Sequence, residues 1–201
     1  MSDIKLDRPP AKENPIEYNY PYVEGVVGIN MSEILTPGFQ GKIKSGSGRE
    51  LSADVTEKGI IISDVLNNYY HLQALFNSND SSLSFGIYTK VKAKDKKDIL
   101  SFKGRHPDLF AKHFITIALE YFSNIGVQIE QCKGNWSPGE NNYRKFMQSL
   151  KSGLDPVESA KRTWAGRQFI SNGFGRIAQD NIFPLEITNK PASITASFYR
   201  G

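Results

Sequence analysis

Pro107-Asp-Leu-Phe-Ala-Lys-His-Phe-Ile-Thr-Ile-Ala-Leu-Glu-Tyr-Phe-Ser-Asn-Ile125, with Gly126 immediately after, is the stretch on which the fold turns. Pro107 suits a first helical turn, where no backbone N–H is needed, and Asp108 faces the positive end of the helix dipole. Phe110, Phe114, Ile117, Ala118, Tyr121, Phe122 and Ile125 recur at helical spacing, and Leu109, Ile115 and Leu119 carry the apolar surface further round. A helix apolar around most of its circumference is buried on several sides. Lys112, His113 and Glu120 make it too polar, and its length too short, for a membrane span. The spacing predicts a central helix over about 107–125, with the rest of the domain packed against it.

Working outward, 201 residues suffice for one domain with a real core. A composition 39% hydrophobic and 23% charged excludes a disordered chain. The net charge of +4 favours anionic partners only weakly. Cys132 is the one cysteine, which rules out an intrachain disulfide and a cysteine-rich metal site. The N-terminus lacks the apolar run of a signal peptide, and no run has membrane-spanning length. The expected location is cytoplasmic at synthesis, with any export by a signal-peptide-independent route.

Pro9, Pro10, Pro15 and Pro21, with Tyr18, Tyr20 and Tyr22, predict an extended or partly disordered arm over 1–22, ahead of a globular domain over 23–201. A short strand is expected at Val23–Ile29. The glycine-rich Gly38–Arg49 stretch lacks phosphate-loop spacing and reads as a hairpin loop. After the β-favouring Gly59–Ile62 run, Ser63-Asp64 looks like a helix start. Val65, Leu66, Tyr69, Leu72, Leu75 and Phe76 then predict a helix over 64–77. Phe85 to Ala93 alternates as a strand, and its lysines begin a Lys90–Lys97 stripe that reads either as a nucleic-acid footprint or as protection of a sheet edge. A strand from Val127, a loop over 134–141, helices over 141–151 and from Asp155 to about Asn172, and strands within 176–187 and 193–199 complete the chain. Strands before, between and after the helices, without regular βαβ alternation, predict a single α+β domain. Its mainly antiparallel sheet packs on the central helix, with two to three further helices.

Trp136, Asn141-Asn142-Tyr143, Phe146, Gly153, Pro156, Ala160, Thr163-Trp164, Gly166-Arg167 and Gly173-Phe174 crowd many special residues into one segment. At these positions, residues 134–175 resemble uncharacterised C-terminal modules of large secreted bacterial proteins, toxin-associated ones among them. The resemblance implies a context and no catalytic activity. Packing accounts for much of the segment, since large aromatics and glycines are core determinants.

The polar residues left over make the candidate sites. His106 is the candidate acid or base, with Arg105 and Arg167 as phosphate clamps. Trp136, Asn142, Tyr143 and Thr163 are the candidate binding residues. Glu120 on so apolar a helix calls for a partner, with Arg162 or Arg167 within reach of the pattern. His106 and His113 lack companions for a zinc site, and no hydrolase, zinc-protease, kinase or cofactor signature is present. The leading expectation is a non-enzymatic module that binds a protein partner through a groove near the 134–143 loop and the start of the central helix. An effector enzyme acting on RNA or a nucleotide through His106, and a sequence-independent nucleic-acid binder, are the alternatives.

Overall fold

Alternation of apolar with polar residues builds five strands in succession: β1 (Phe39–Lys44), β2 (Glu50–Thr56), β3 (Gly59–Asp64), β4 (His71–Asn77) and β5 (Ser82–Tyr88). They form an antiparallel meander in a computed structural model that describes residues 34–45, 47–89, 106, 109, 111–184 and 193–201. Ala53 lies opposite Ile62, and Ile62 opposite Leu72, so one face carries continuous buried apolar rows. On the other face Lys42, Ser52, Ser63, His71 and Tyr88 share a single row across the strands.

The chain then crosses the apolar face as α1 (Ala111–Asn124) and returns as β6 (Gln131–Trp136), parallel to β5. Parallel neighbours need such a crossover. Phe114, Ile115, Ile117, Ala118, Tyr121 and Phe122 are buried, as the spacing predicts. The Phe114 and Phe122 rings meet Phe85 and Phe76 at 6.4 and 5.8 Å, and the Tyr121 hydroxyl donates to the Thr56 carbonyl at 3.0 Å. Each such phenylalanine contributes about 1.5–3 kcal/mol by burial. Gly126, at φ +79°, supplies the left-handed residue that ends the helix.

Three helices follow, α2 (Asn141–Lys151), α3 (Pro156–Lys161) and α4 (Trp164–Ser171), then β7 (Ile182–Phe183) and β8 (Ile194–Tyr199). β8 inserts between β6 and β7, giving the order β1-β2-β3-β4-β5-β6-β8-β7, antiparallel throughout except at β5–β6. This is the α+β fold, with a mainly antiparallel sheet on a central helix.

Several local expectations change. No helix forms over 64–77: Asp64 closes β3, and its Oδ1 accepts the N–H groups of Leu66 and Asn67 at 2.8 and 3.2 Å. The chain re-enters the sheet at His71, because β3 and β5 present a ladder on both sides of β4 and that tertiary pairing overrides local spacing. Trp136, expected in a loop, ends β6. The single helix expected from Asp155 to about Asn172 is two, because Thr163 is extended (φ −65°, ψ 162°) and caps α4. Half of the expected Gly38–Arg49 loop is β1, with the turn confined to its end. The strand expected over 85–93 is seen as β5, which runs from Ser82 to Tyr88, while 90–93 lie outside the described residues. The arm at 1–22, the strand at 23–29 and the Lys90–Lys97 stripe lie outside the described residues.

Candidate functional site

β5 and β6 pair over only three positions, from Ser82–Gln131 to Ser84–Lys133. β5 then continues to Tyr88 on β4, and β6 continues to Trp136 on β8. Among the described residues no ladder joins these C-terminal halves, and the two strands part there as a wedge that His106 borders through the Thr89 carbonyl. Alternation decides which backbone groups face it. The Ser81 carbonyl accepts from the Glu130 and Gln131 N–H groups at 2.9 and 3.4 Å, and the Thr89 carbonyl accepts from the His106 N–H at 2.8 Å. Odd positions of β5 therefore point away from β4, and Ile87 turns its N–H and C=O to the wedge. On β6 the Glu130 carbonyl accepts from Arg200 beside β8, so even positions face β8 and Asn135 faces the wedge. Among the described residues no hydrogen bond joins Ile87 to Asn135.

The inner wall is aromatic. Phe85 stacks with Phe169 at 5.8 Å, and Trp136 packs on Phe146 at 5.9 Å. Gly134 makes room for that indole, since a Cβ there would lie 2.7 Å from the Trp136 Nε1. On the outer bank, the Tyr88 ring lies 4.6 Å from His71 on β4 and 6.0 Å from Tyr69. Glu140 follows β6 on the opposite bank, its carboxylate accepting the Ser137 N–H at 3.2 Å. Burial, then the Glu140 charge, then Tyr69 push the Tyr88 phenol above its usual range.

Beneath this end of the sheet lies a buried polar cluster. His106 is fully buried, with Nε2 2.8 Å from Asp64 Oδ2 and Nδ1 3.0 Å from the Leu109 N–H. Nδ1 can only accept there, so the proton is assigned to Nε2, which donates to the carboxylate. Arg49 Nε donates to the same Oδ2. Burial alone would raise the Asp64 carboxyl, but the Arg49, His106 and Leu66 hydrogen bonds outweigh it and hold the group below its usual range. The Tyr70 ring covers His106 at 5.1 Å.

A histidine acting as a base needs one ring nitrogen aimed at substrate while the other is oriented by a carboxylate. Here the second nitrogen holds the Leu109 N–H, so the cluster is built as a latch between β3 and the approach to α1. Arg105 lies outside the described residues. Arg167 is exposed and donates from Nη1 to the Arg162 carbonyl at 2.7 Å, while His106 pairs with Asp64. Trp136 and Tyr143 are buried in the core. Asn142 accepts the Ala165 N–H at 3.2 Å, tying α2 to α4, and Thr163 accepts the Gly166 N–H at 2.9 Å. Glu120 is half-buried and forms no ion pair with Arg162 or Arg167 among the described residues.

Sequence reasoning missed Asp64, Arg49, Tyr88 and Glu140. The one available signal was Asp64 itself, an acid at an inward position after the Gly59–Ile62 run. Among the described residues no three His, Cys, Asp or Glu side chains gather as a metal site, and no helix is long and apolar enough to cross a membrane. Compared with known proteins, the chain matches no family model, no curated sequence and no solved structure.

Proposed function

We propose that this chain is a protein-binding module that takes an extended segment of its partner into the wedge between β5 and β6. One observation supports the reading: two neighbouring strands diverge inside a sheet, and among the described residues no strand pairs with Ile87 or Asn135 on the side between them. An added strand satisfies such groups, and main-chain pairing is a recurrent route to peptide recognition. The carboxyl ends of parallel strands, where a crossover leaves the sheet, are also a common place for ligands. The wedge lies at the 134–143 loop and near His106, at the approach to α1. The resemblance over 134–175 supports a bacterial setting, associated with an effector or toxin.

Amide exchange tests this with the β-forming peptide Ac-Val-Thr-Lys-Thr-Val-NH2 at millimolar concentration. The Ile87 and Asn135 amides are expected to slow on addition. Asn135→Pro removes one wedge-facing donor and keeps the ladder to β8, a placement that proline tolerates in strands. It should weaken the peptide and leave the melting curve close to wild type. Peptide binding that leaves both amides unchanged overturns the proposal.

A further inference from the structure

We propose that the helical layer formed by α2, α3 and α4 is a binding surface for the phosphodiester backbone of a nucleic acid. It is a second surface, independent of strand addition. The chain carries 25 Lys or Arg and 21 Asp or Glu. Residues 141–171, the three helices and their links, hold six of those cations and two of those acids, a net +4. The other 170 residues hold nineteen of each, so the formal charge of the whole protein resides in this layer.

Both acids are engaged. Asp155 caps α3 by accepting the Glu158 N–H at 2.8 Å, and Glu158 accepts from the Lys161 ammonium at 2.9 Å. Arg144, Lys145, Lys151, Arg162 and Arg167 are exposed and have no carboxylate partner among the described residues. Arg144 donates to the Asn141 side chain and Arg167 to the Arg162 carbonyl, both neutral acceptors. The helices turn their apolar sides to the sheet, Phe146 against Trp136 and Phe169 against Phe85 and Phe198, which leaves the polar sides outward. The bond from the Ala165 N–H to Asn142 sets the first turn of α2 beside the first turn of α4. Lys145 lies one turn along from Asn142 on the same side of α2, and Arg167 folds back onto Arg162. Three cations therefore border this junction. Arg144 and Lys151 follow on the outer side of α2, two turns or about 10 Å apart.

The chemistry of the surface selects among polyanions. Protein interfaces have an apolar core and membrane-surface helices an apolar face. Across residues 141–171 the one exposed large apolar side chain is Ile170. Three of the five unpaired cations are arginines, whose planar guanidinium meets phosphate through two donors. Contacts of this kind neutralise backbone phosphates and release counterions, and they read no base.

The test is fluorescence anisotropy of a labelled oligothymidylate of about twenty nucleotides with the full chain across a salt series. Wild type should bind with about micromolar Kd at low salt, and log affinity should fall against log salt with a slope of about −2 to −3.5. Lys145→Gln, Arg162→Gln and Arg167→Gln together should weaken binding at least about tenfold and flatten the slope by about two units. Lys42→Gln, Lys44→Gln and Lys58→Gln together remove the same charge from exposed positions of the meander and should change affinity less than about twofold. Arg162→Lys with Arg167→Lys keeps the charge and should keep the salt slope. Equal losses from the two glutamine triples, a slope near zero, or no binding at low salt overturns the proposal. Preferential binding of polyglutamate or of phosphatidylserine vesicles through the same three cations also overturns it, and assigns the surface to an acidic protein or a membrane.

Discussion

Replacing Asp64 by asparagine tests the latch at its centre. Oδ2 receives Arg49 and His106, and Oδ1 receives the Leu66 and Asn67 N–H groups. An asparagine therefore turns its NH2 against two donors in either orientation. The change also removes a carboxylate that pairs with Arg49, whose side chain is only 19% exposed. Breaking a buried charge pair from one side costs about 3–5 kcal/mol. At 2–4 °C per kcal/mol for a chain of this size, the melting temperature should fall by roughly 6–20 °C. Acid supplies an internal check. The folded-state carboxyl of Asp64 is held below its usual range, so its stabilisation is complete above about pH 4 and is lost as pH falls through the lowered value. The gap between wild type and Asp64→Asn should be widest near neutrality and narrow in acid. Thermal and urea melts by circular dichroism across that pH range measure it. A loss below about 1 kcal/mol at neutral pH, the size of an ordinary hydrogen bond, would refute the latch, as would a gap that stays constant into acid.

Three further outcomes follow from the geometry. Gly166→Ala gains up to about 1 kcal/mol of helix propensity but sets a Cβ 2.2 Å from the Ala160 carbonyl oxygen, so a net loss of about 1–3 kcal/mol is expected; a higher urea midpoint would contradict it. Thr163→Val keeps the shape and removes the buried cap of α4, which should cost about 1–2 kcal/mol, whereas Thr163→Ser keeps the hydroxyl and loses less. Equal losses would show that the methyl group matters and not the cap. Cys132 is buried and burial pushes its thiol well above the usual range, so a thiol reagent such as Ellman's should react only after unfolding. Rapid labelling under native conditions would place that strand elsewhere.

Elements whose information is local were legible. The apolar spacing of Phe114, Ile117, Ala118, Tyr121 and Phe122 predicts a helix whose face is buried almost as expected. Asp155-Pro156 announces α3, and the Asp155 side chain accepts the Glu158 N–H at 2.8 Å. Asp64 shows how local reading fails. Its side chain caps the next two N–H groups, which is the chemistry of a helix start, and Leu72, Leu75 and Phe76 fit a helical stripe. The same residues also fit a strand once β3 and β5 lie beside them, and backbone pairing on both sides decides the outcome. Thr163 was read as a binding residue because it is one of the polar residues that packing of the segment leaves over. Its role as a cap became visible only with the break between α3 and α4.

By itself the sequence determined a disulfide-free α+β domain organised around one apolar helix, because hydrophobic periodicity, caps and glycine stops act over a few residues. The tertiary structure alone decided that Arg49, Asp64 and His106 meet, and that β5 and β6 separate beyond Ser84 and Lys133. These contacts join positions 15 and 42 residues apart in the chain. No local preference encodes such a distance; the ladder on either side of each strand does.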